Sequence, residues 1–306
     1  MRAAAILGLG CSLKSLRPFQ ADKTVEWRMG MPAPGDEVDA ILLFGGDGTI
    51  HRHLGQLVKL GTPMLVVPAG SGNDFARALG LRGVRESLTA WQTFCGGANN
   101  VRSIDLGLIT PIGTDDDRDF AEASRSSRSA ARYFCCVAGV GIDGEVSRGA
   151  NRLPRWLRGN GGYLLSLAPA IFTFAPLPMK ILTRDETAAE SWITRSDQPT
   201  ILAAFANTPV YGGGMKVAPR ARMDDGMLDV CIVGNVAPLK LLTMLPSVYA
   251  GSHLKFREVV YFQSDRVRVE AKPPLAVYAD GEHVCETPVE VGVQKAALRV
   301  VTLLGP

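Results

Sequence analysis

The 306-residue sequence has no CxxC pair, no GxxxxGK[ST] phosphate-binding signature and no uninterrupted apolar run long enough to cross a bilayer. The missing GxxxxGK[ST] element excludes a P-loop enzyme. The six cysteines (Cys11, Cys95, Cys135, Cys136, Cys231 and Cys285) mostly sit inside apolar runs, which predicts reduced, buried thiols of a cytoplasmic protein. The four histidines show no metal-ligand spacing, so no zinc site is expected. A formal charge of +3 is too small to mark a nucleic-acid partner, which needs a clustered basic face. The stretch Gly162 to Met179 carries no charge, but Pro169, Pro176 and Pro178 interrupt it. It predicts a helix of about three turns, then a strand through Met179–Thr183, and no transmembrane span. The apolar N-terminus, Met1 to Cys11, is too short for a secretory h-region and predicts a first β-strand.

What is present is a repeated joint. The apolar run Ala40–Phe44 ends in Gly45-Gly46-Asp47-Gly48-Thr49, and about 25 residues later Pro63–Val67 ends in Pro68-Ala69-Gly70-Ser71-Gly72-Asn73-Asp74. After the first joint, Ile50, Leu54, Leu57 and Val58 recur on one helical face. After the second, Phe75, Ala78 and Leu79 and then Leu88, Trp91 and Phe94 predict further helix, broken near Gly80–Gly83. Alternating strand and helix imply a parallel sheet with helices on its faces. Ligands of such sheets bind beyond the carboxyl ends of the strands, where both glycine turns fall.

Glycines let backbone N–H groups approach an anion, and a following helix N-terminus adds favourable partial charge. Gly45, Gly46 and Gly48, with Thr49 at the helix start and Ser71 and Asn73 as donors in the second turn, therefore predict a phosphate cradle. Asp74 is expected to cap the second helix. Asp47 would repel phosphate, which points to a Mg²⁺ bridge or to a base beside the transferred group. Gly139-Val-Gly-Ile-Asp-Gly144 matches GxGxxG, but no acidic residue follows at ribose-binding distance, so it is read as a decoy.

From about Val101 short strand-like runs dominate: 103–109, 132–137, 201–206, 228–233, 259–262, 266–270 and 276–278. Several alternate in polarity, as antiparallel strands with one wet face do. Between two of them the polar segment from Gly113 to Ser129 predicts a loop without chemistry. Asp224-Asp225-Gly226 suits a hard cation, although spacing alone favours a plain hairpin turn. Asp280-Gly281 is a common hairpin turn, and Glu282 matters only if its carboxylate can take a proton from an attacking hydroxyl. Arg148, Arg152, Arg155 and Arg158 around Leu153, Trp156 and Leu157 fit either an anionic membrane interface or a solvated helix face.

The stretches 44–49, 68–77, 207–229 and 279–282, in this order and spacing, resemble the diacylglycerol kinase catalytic family, nearest its bacterial lipid kinase branch. The resemblance covers the chain from about Val38 onward. It implies an α/β + β architecture: an N-terminal parallel-sheet nucleotide-binding domain over residues 1–100, joined by a returning last strand at 295–306, and a C-terminal antiparallel β-sandwich domain over 101–294. It implies γ-phosphoryl transfer from ATP to a hydroxyl of a diacylglycerol-like or sphingoid lipid at a membrane surface, with Mg²⁺, in a cytoplasmic protein peripheral to the inner face. ATP contacts are implied at Gly46, Asp47, Gly48, Thr49, Ile50, His51 and Arg52 and across Gly70, Ser71, Gly72 and Asn73. Mg²⁺ is implied at Arg222, Asp225 and Met227, the first and last through backbone oxygen. Glu282 is the implied proton acceptor, with Asp47 assisting. The chain departs from the family at Arg52, where a Glu is usual, and lacks the usual Asn-Pro element of the first strand, whose place Gly8 to Ser12 takes. A kinase for a soluble acceptor such as NAD and a catalytically impaired nucleotide- or lipid-binding homologue are the alternatives. The oligomeric state is left open, with a homodimer among the options.

Overall fold

Every residue of the strand Ala40–Gly45 is buried, as a central strand of a parallel sheet covered on both faces requires. A computed structural model describes residues 1–113, 131–152, 162–184 and 191–303. The predicted polar loop from residue 114 onward lies outside the described residues, and so do Leu153, Arg155, Trp156, Leu157 and Arg158. The chain divides into two units, Met1–Asp105 with Lys295–Pro306 and Leu106–Gln294.

In the first unit, β1 (Arg2–Leu7), β2 (Glu26–Met29), β3 (Ala40–Gly45) and β4 (Met64–Pro68) pair in parallel in the order β2-β1-β3-β4. The helices are α1 (Leu13–Leu16), α2 (Asp47–Leu60), α3 (Asp74–Ala78) and α4 (Val84–Cys95). The predicted stripe on α2 is the inner one: Ile50, Leu54 and Leu57 are buried and Val58 is half-buried. The break between α3 and α4 falls where Gly80–Gly83 predicted it, and Trp91 of α4 anchors the far side by donating its indole N–H to the carbonyl of Phe19 at 3.0 Å.

The second unit is largely antiparallel. Its strands are β5 (Val101–Pro111), which enters it from the first unit, then β6 (Arg132–Phe134), β7 (Val137–Gly141), β8 (Leu177–Arg184), β9 (Trp192–Ala206), β10 (Leu228–Gly234), β11 (Val259–Ser264), β12 (Arg266–Ala271), β13 (Ala276–Ala279), β14 (Glu282–Glu286) and β15 (Val289–Val301). One run is ordered β14-β13-β7-β9-β8-β12-β15, with β10 joining β9 to β11. Phe134, Ala203, Phe205, Val230, Val267 and Val277 lie in its buried core. Its helices are α5 (Ile142–Arg152), α6 (Gly162–Thr173) and α7 (Pro238–Ala250). α6 runs through Pro169 and stops before Pro176, at the predicted three turns. Among the described residues no helix is long and apolar enough to cross a membrane. The end of β15 returns to the first unit, where Val300 pairs with Met64 of β4.

One predicted strand is two. The run 132–137 breaks at Cys135-Cys136 into β6 and β7, because a carboxylate from far along the chain binds both cysteine N–H groups and bends the backbone.

Candidate active site

The two glycine turns touch. A Cβ placed on Gly46 would lie 2.8 Å from the Cα of Gly70, so the backbones meet at a distance only glycines permit. The carbonyl of Gly45 accepts the N–H of Ala69 at 3.0 Å, continuing the β3–β4 ladder into the loops. Gly8 closes the third side: its N–H donates to the carbonyl of Phe44 at 2.7 Å, and a Cβ there would meet the Thr49 hydroxyl at 2.9 Å. Gly8, at the end of β1, thus packs directly on the first turn.

Gly46, in an extended conformation, is the N-cap of α2, and its carbonyl receives the N–H groups of Thr49 (2.9 Å) and Ile50 (3.1 Å). α2 therefore starts at Asp47 with its positive end at the turn. Gly46, Asp47, Gly48 and Thr49 are half-buried, His51 is half-buried, Arg52 is exposed on α2 and Ile50 points into the core. Gly70 and Ser71 are exposed, and Gly72 and Asn73 are half-buried.

Asp47 does something the sequence did not reveal. Its Oδ2 accepts the N–H of Asp74 and its Oδ1 that of Phe75, both at 3.1 Å. The expected cap, Asp74, instead accepts from Arg77 at 2.8 Å, and the cap of α3 comes from the other glycine turn. The cause is Asn73, the residue before the helix. It is left-handed (φ 58°), and its side chain turns back to bond both the N–H (2.9 Å) and the carbonyl (2.8 Å) of Gly70. Asn73 is therefore a brace of the second turn, with its amide donor already engaged inside the loop.

In the second unit the acidic turn is held from behind. Asp225 accepts the N–H of Met227 at 3.0 Å and the Gln263 amide at 3.1 Å, while Arg222 pairs with Asp224 at 3.1 Å. The same Gln263 amide reaches Asp229 at 3.1 Å, and the Tyr261 hydroxyl donates to Asp229 at 2.6 Å. Asp229 is fully buried, which raises its carboxyl pKa against the lowering effect of these donors. Burial and the Asp229 carboxylate push the Tyr261 phenol upward in turn. Sequence reasoning missed this support, although an aspartate inside the apolar strand 228–233 was its visible signal.

Glu282 is exposed at the first position of β14. The turn before it has Asp280 at φ 50° and Gly281 at φ 84°, a pair of left-handed residues that closes the β13–β14 hairpin. The Asp280 carboxylate accepts the N–H of Cys136 at 2.8 Å and of Cys135 at 2.9 Å, which ties the turn to the bend after β6.

The second unit also holds an apolar cavity of about 80 Å³ that is partly open to solvent. Its wall comes from Ile142 and Val146 of α5, Leu167 and Ile171 of α6, Leu241, Leu245 and Val248 of α7, and Ile201, Leu202, Cys231 and Val233 of β9 and β10. Tyr211 and His253 supply its polar groups, and the Tyr211 hydroxyl donates to Asp143 at 3.1 Å. The GxGxxG run thus ends β7 and opens α5 beside this cavity. Leu239 of α7 and Phe172 of α6 are 71% and 56% exposed on the helices that wall it.

Residues 20–109 match the family model described as diacylglycerol kinase catalytic domain, and residues 136–302 match that of the YegS C-terminal NAD kinase beta sandwich-like domain. The diacylglycerol kinase of Mycobacterium tuberculosis (strain CDC 1551 / Oshkosh) is 32% identical over 263 residues, covering 86% of this chain and 76% of that protein. The diacylglycerol kinase of Bacillus subtilis (strain 168) is 27% identical over 250 residues, covering 81% and 72%. The crystal structure of a diacylglycerol kinase from Bacillus anthracis str. Sterne superposes with a TM-score of 0.61 at 16% identity, over 98% of this chain and 96% of that one, a likeness of fold.

Proposed function

Because the chain belongs to the diacylglycerol kinase catalytic family, we propose that it is a lipid kinase, moving the γ-phosphoryl group of ATP to a hydroxyl of a diacylglycerol-like or sphingoid lipid. The observation that carries the lipid acceptor is the apolar cavity of the second unit, whose wall is mostly aliphatic. A soluble, charged acceptor such as NAD gains nothing from such a wall, whereas an acyl chain gains roughly 0.8 kcal/mol per buried CH₂. Exposed Leu239 and Phe172 on the cavity's own helices suit a protein that works at the inner face of a membrane.

In this reading the paired turns bind the triphosphate. The first-turn N–H groups of α2 and the Ser71 hydroxyl contact its oxygens, with Ile50, His51 and Arg52 lining the same helix and Gly70, Gly72 and Asn73 shaping the second loop. Asp47 keeps the turns in register through α3 and assists at the transferred group. Glu282 accepts the proton of the acceptor hydroxyl. The backbone oxygens of Arg222 and Met227 with the Asp225 carboxylate are all hard donors and fit Mg²⁺, which would neutralise phosphate charge when bound. Gln263 holds the Asp225 carboxylate for that task. Phosphoryl transfer asks mainly for positioning and charge neutralisation, which a site of amides, carboxylates and metal supplies.

The test is labelled ATP with Mg²⁺ against fractionated lipids and against NAD, with the product identified by mass spectrometry. Label in a lipid phosphate ester is expected. Label in NADP alone would overturn the lipid acceptor. ATP binding without transfer to any acceptor would mark an impaired homologue, and Arg52 would be the first place to look.

A further inference from the structure

We infer that Cys135, Cys136 and Asp280 form a site for one thiophilic divalent cation of the Zn²⁺ class. Spacing along the chain hides this site, since Asp280 comes from 145 residues beyond Cys135. In a continuous strand adjacent side chains point to opposite faces. The bend between β6 and β7 instead turns both thiols the same way, with their sulfurs 3.9 Å apart. The Cys135 sulfur lies 3.4 Å from Asp280 Oδ2, and all three donor atoms fall within 4.8 Å of one another.

The two shorter distances are close to edges of a coordination tetrahedron. Bonds of ~2.3 Å to sulfur and ~2.1 Å to oxygen set two sulfurs ~3.8 Å apart and sulfur from oxygen ~3.6 Å. The carboxylate is already held in place: its oxygens take the N–H groups of Cys135 (2.9 Å) and Cys136 (2.8 Å), and the Asp280 N–H donates to the Val137 carbonyl at 3.0 Å. Oδ2 also accepts the Cys135 thiol at 3.4 Å, whose proton the cation would replace. The thiols are 0% and 3% exposed and Asp280 is half-buried, so a cation enters on the carboxylate side. Two sulfurs and one oxygen select zinc or cadmium over magnesium or calcium. Binding releases both thiol protons to the buffer, forms two metal–sulfur bonds and moves no electrons.

Cd²⁺ alone, titrated into the reduced full-length protein, tests this through its thiolate charge-transfer absorption in the ultraviolet. One Cd²⁺ per chain is expected, with affinity reduced at least tenfold in Cys135→Ser and Cys136→Ser and unchanged in Cys95→Ser. X-ray absorption on the wild-type complex needs no variant and should count two sulfur neighbours. No band at tenfold excess of Cd²⁺, a band indifferent to both substitutions, or fewer than two sulfurs would overturn the site and leave a hydrogen-bonded cluster. Asp280 shares a turn with Glu282, so bound metal should also lower turnover at least tenfold. That consequence alone rests on the proposed function, and the spectroscopic readouts do not depend on it.

Discussion

A carboxylate among phosphate-binding glycines needs a reason, and for Asp47 the N–H groups of Asp74 and Phe75 supply one. Asn at this position keeps one acceptor but turns an NH₂ against an N–H donor. Asp47→Asn should cost about 1 kcal/mol in chemical denaturation through the weakened cap of α3, and lower turnover at least tenfold. Lost stability with unchanged turnover would confine Asp47 to the fold. Glu282 is exposed, so Glu282→Gln should leave the denaturation midpoint in place while turnover falls at least tenfold. A fully active variant would remove it from the chemistry. His253 offers a pH test. Burial holds its imidazole below the ordinary 6.5, with Nε2 at 3.1 Å from the Val217 carbonyl. Above 6.5 the ring is neutral in both folded and unfolded chains. As pH falls below 6.5 the unfolded chain takes the proton first, so stability drops until the lower folded value is passed. Urea midpoints at about pH 7.5 and 5.5 should therefore fall further for the wild type than for His253→Phe. Equal falls would mean the histidine is hydrated in the folded state.

At the scale of elements, β3, β4 and α2 were legible because their signals are local: a continuous apolar run for a doubly covered strand, and an i, i+4, i+7 stripe for a one-sided helix. The pairing of two strand–glycine–helix joints was legible too. Which groups cap α3 was not, since the left-handed Asn73 turns its side chain onto Gly70 and the cap comes from 27 residues earlier. The split of 132–137 into two strands was hidden for the same reason, being imposed by Asp280. The contact of Gly46 with Gly70 yields its own prediction. Gly70→Ala pushes a methyl into the opposing backbone, and overpacking of this kind costs about 1–3 kcal/mol. A lowered urea midpoint at unchanged slope is expected together with weaker ATP binding. Wild-type values for both would mean the turns do not depend on this approach.

For the whole molecule, the resemblance in four short motifs extends to a chain whose two matched regions span most of its length. The cavity adds what motifs could not, because its aliphatic wall is drawn from three helices and two strands whose residues read in sequence as ordinary core. Leu245→Trp should fill it. Turnover on a long-chain acceptor is expected to fall at least tenfold while a short-chain, water-dispersed acceptor is spared. Equal losses on both acceptors would show that the cavity does not hold the chain.

By itself the sequence determined the alternation of strand and helix, the β-rich second half and the candidate residues 45–52, 70–73, Arg222, Asp225, Met227 and Glu282. Hydrophobic periodicity and glycine placement act over a few residues, and a linear reading captures them. Only the tertiary structure decided that Asp47 caps the neighbouring turn's helix, that Gln263 and Asp229 stand behind Asp225, and that Asp280 bends the chain at two cysteines. Each of these is a hydrogen bond across at least 27 residues of sequence. Such a bond is specified by the three-dimensional approach of its partners; local composition at most marks one of them, as the aspartate within 228–233 does, and never names the other.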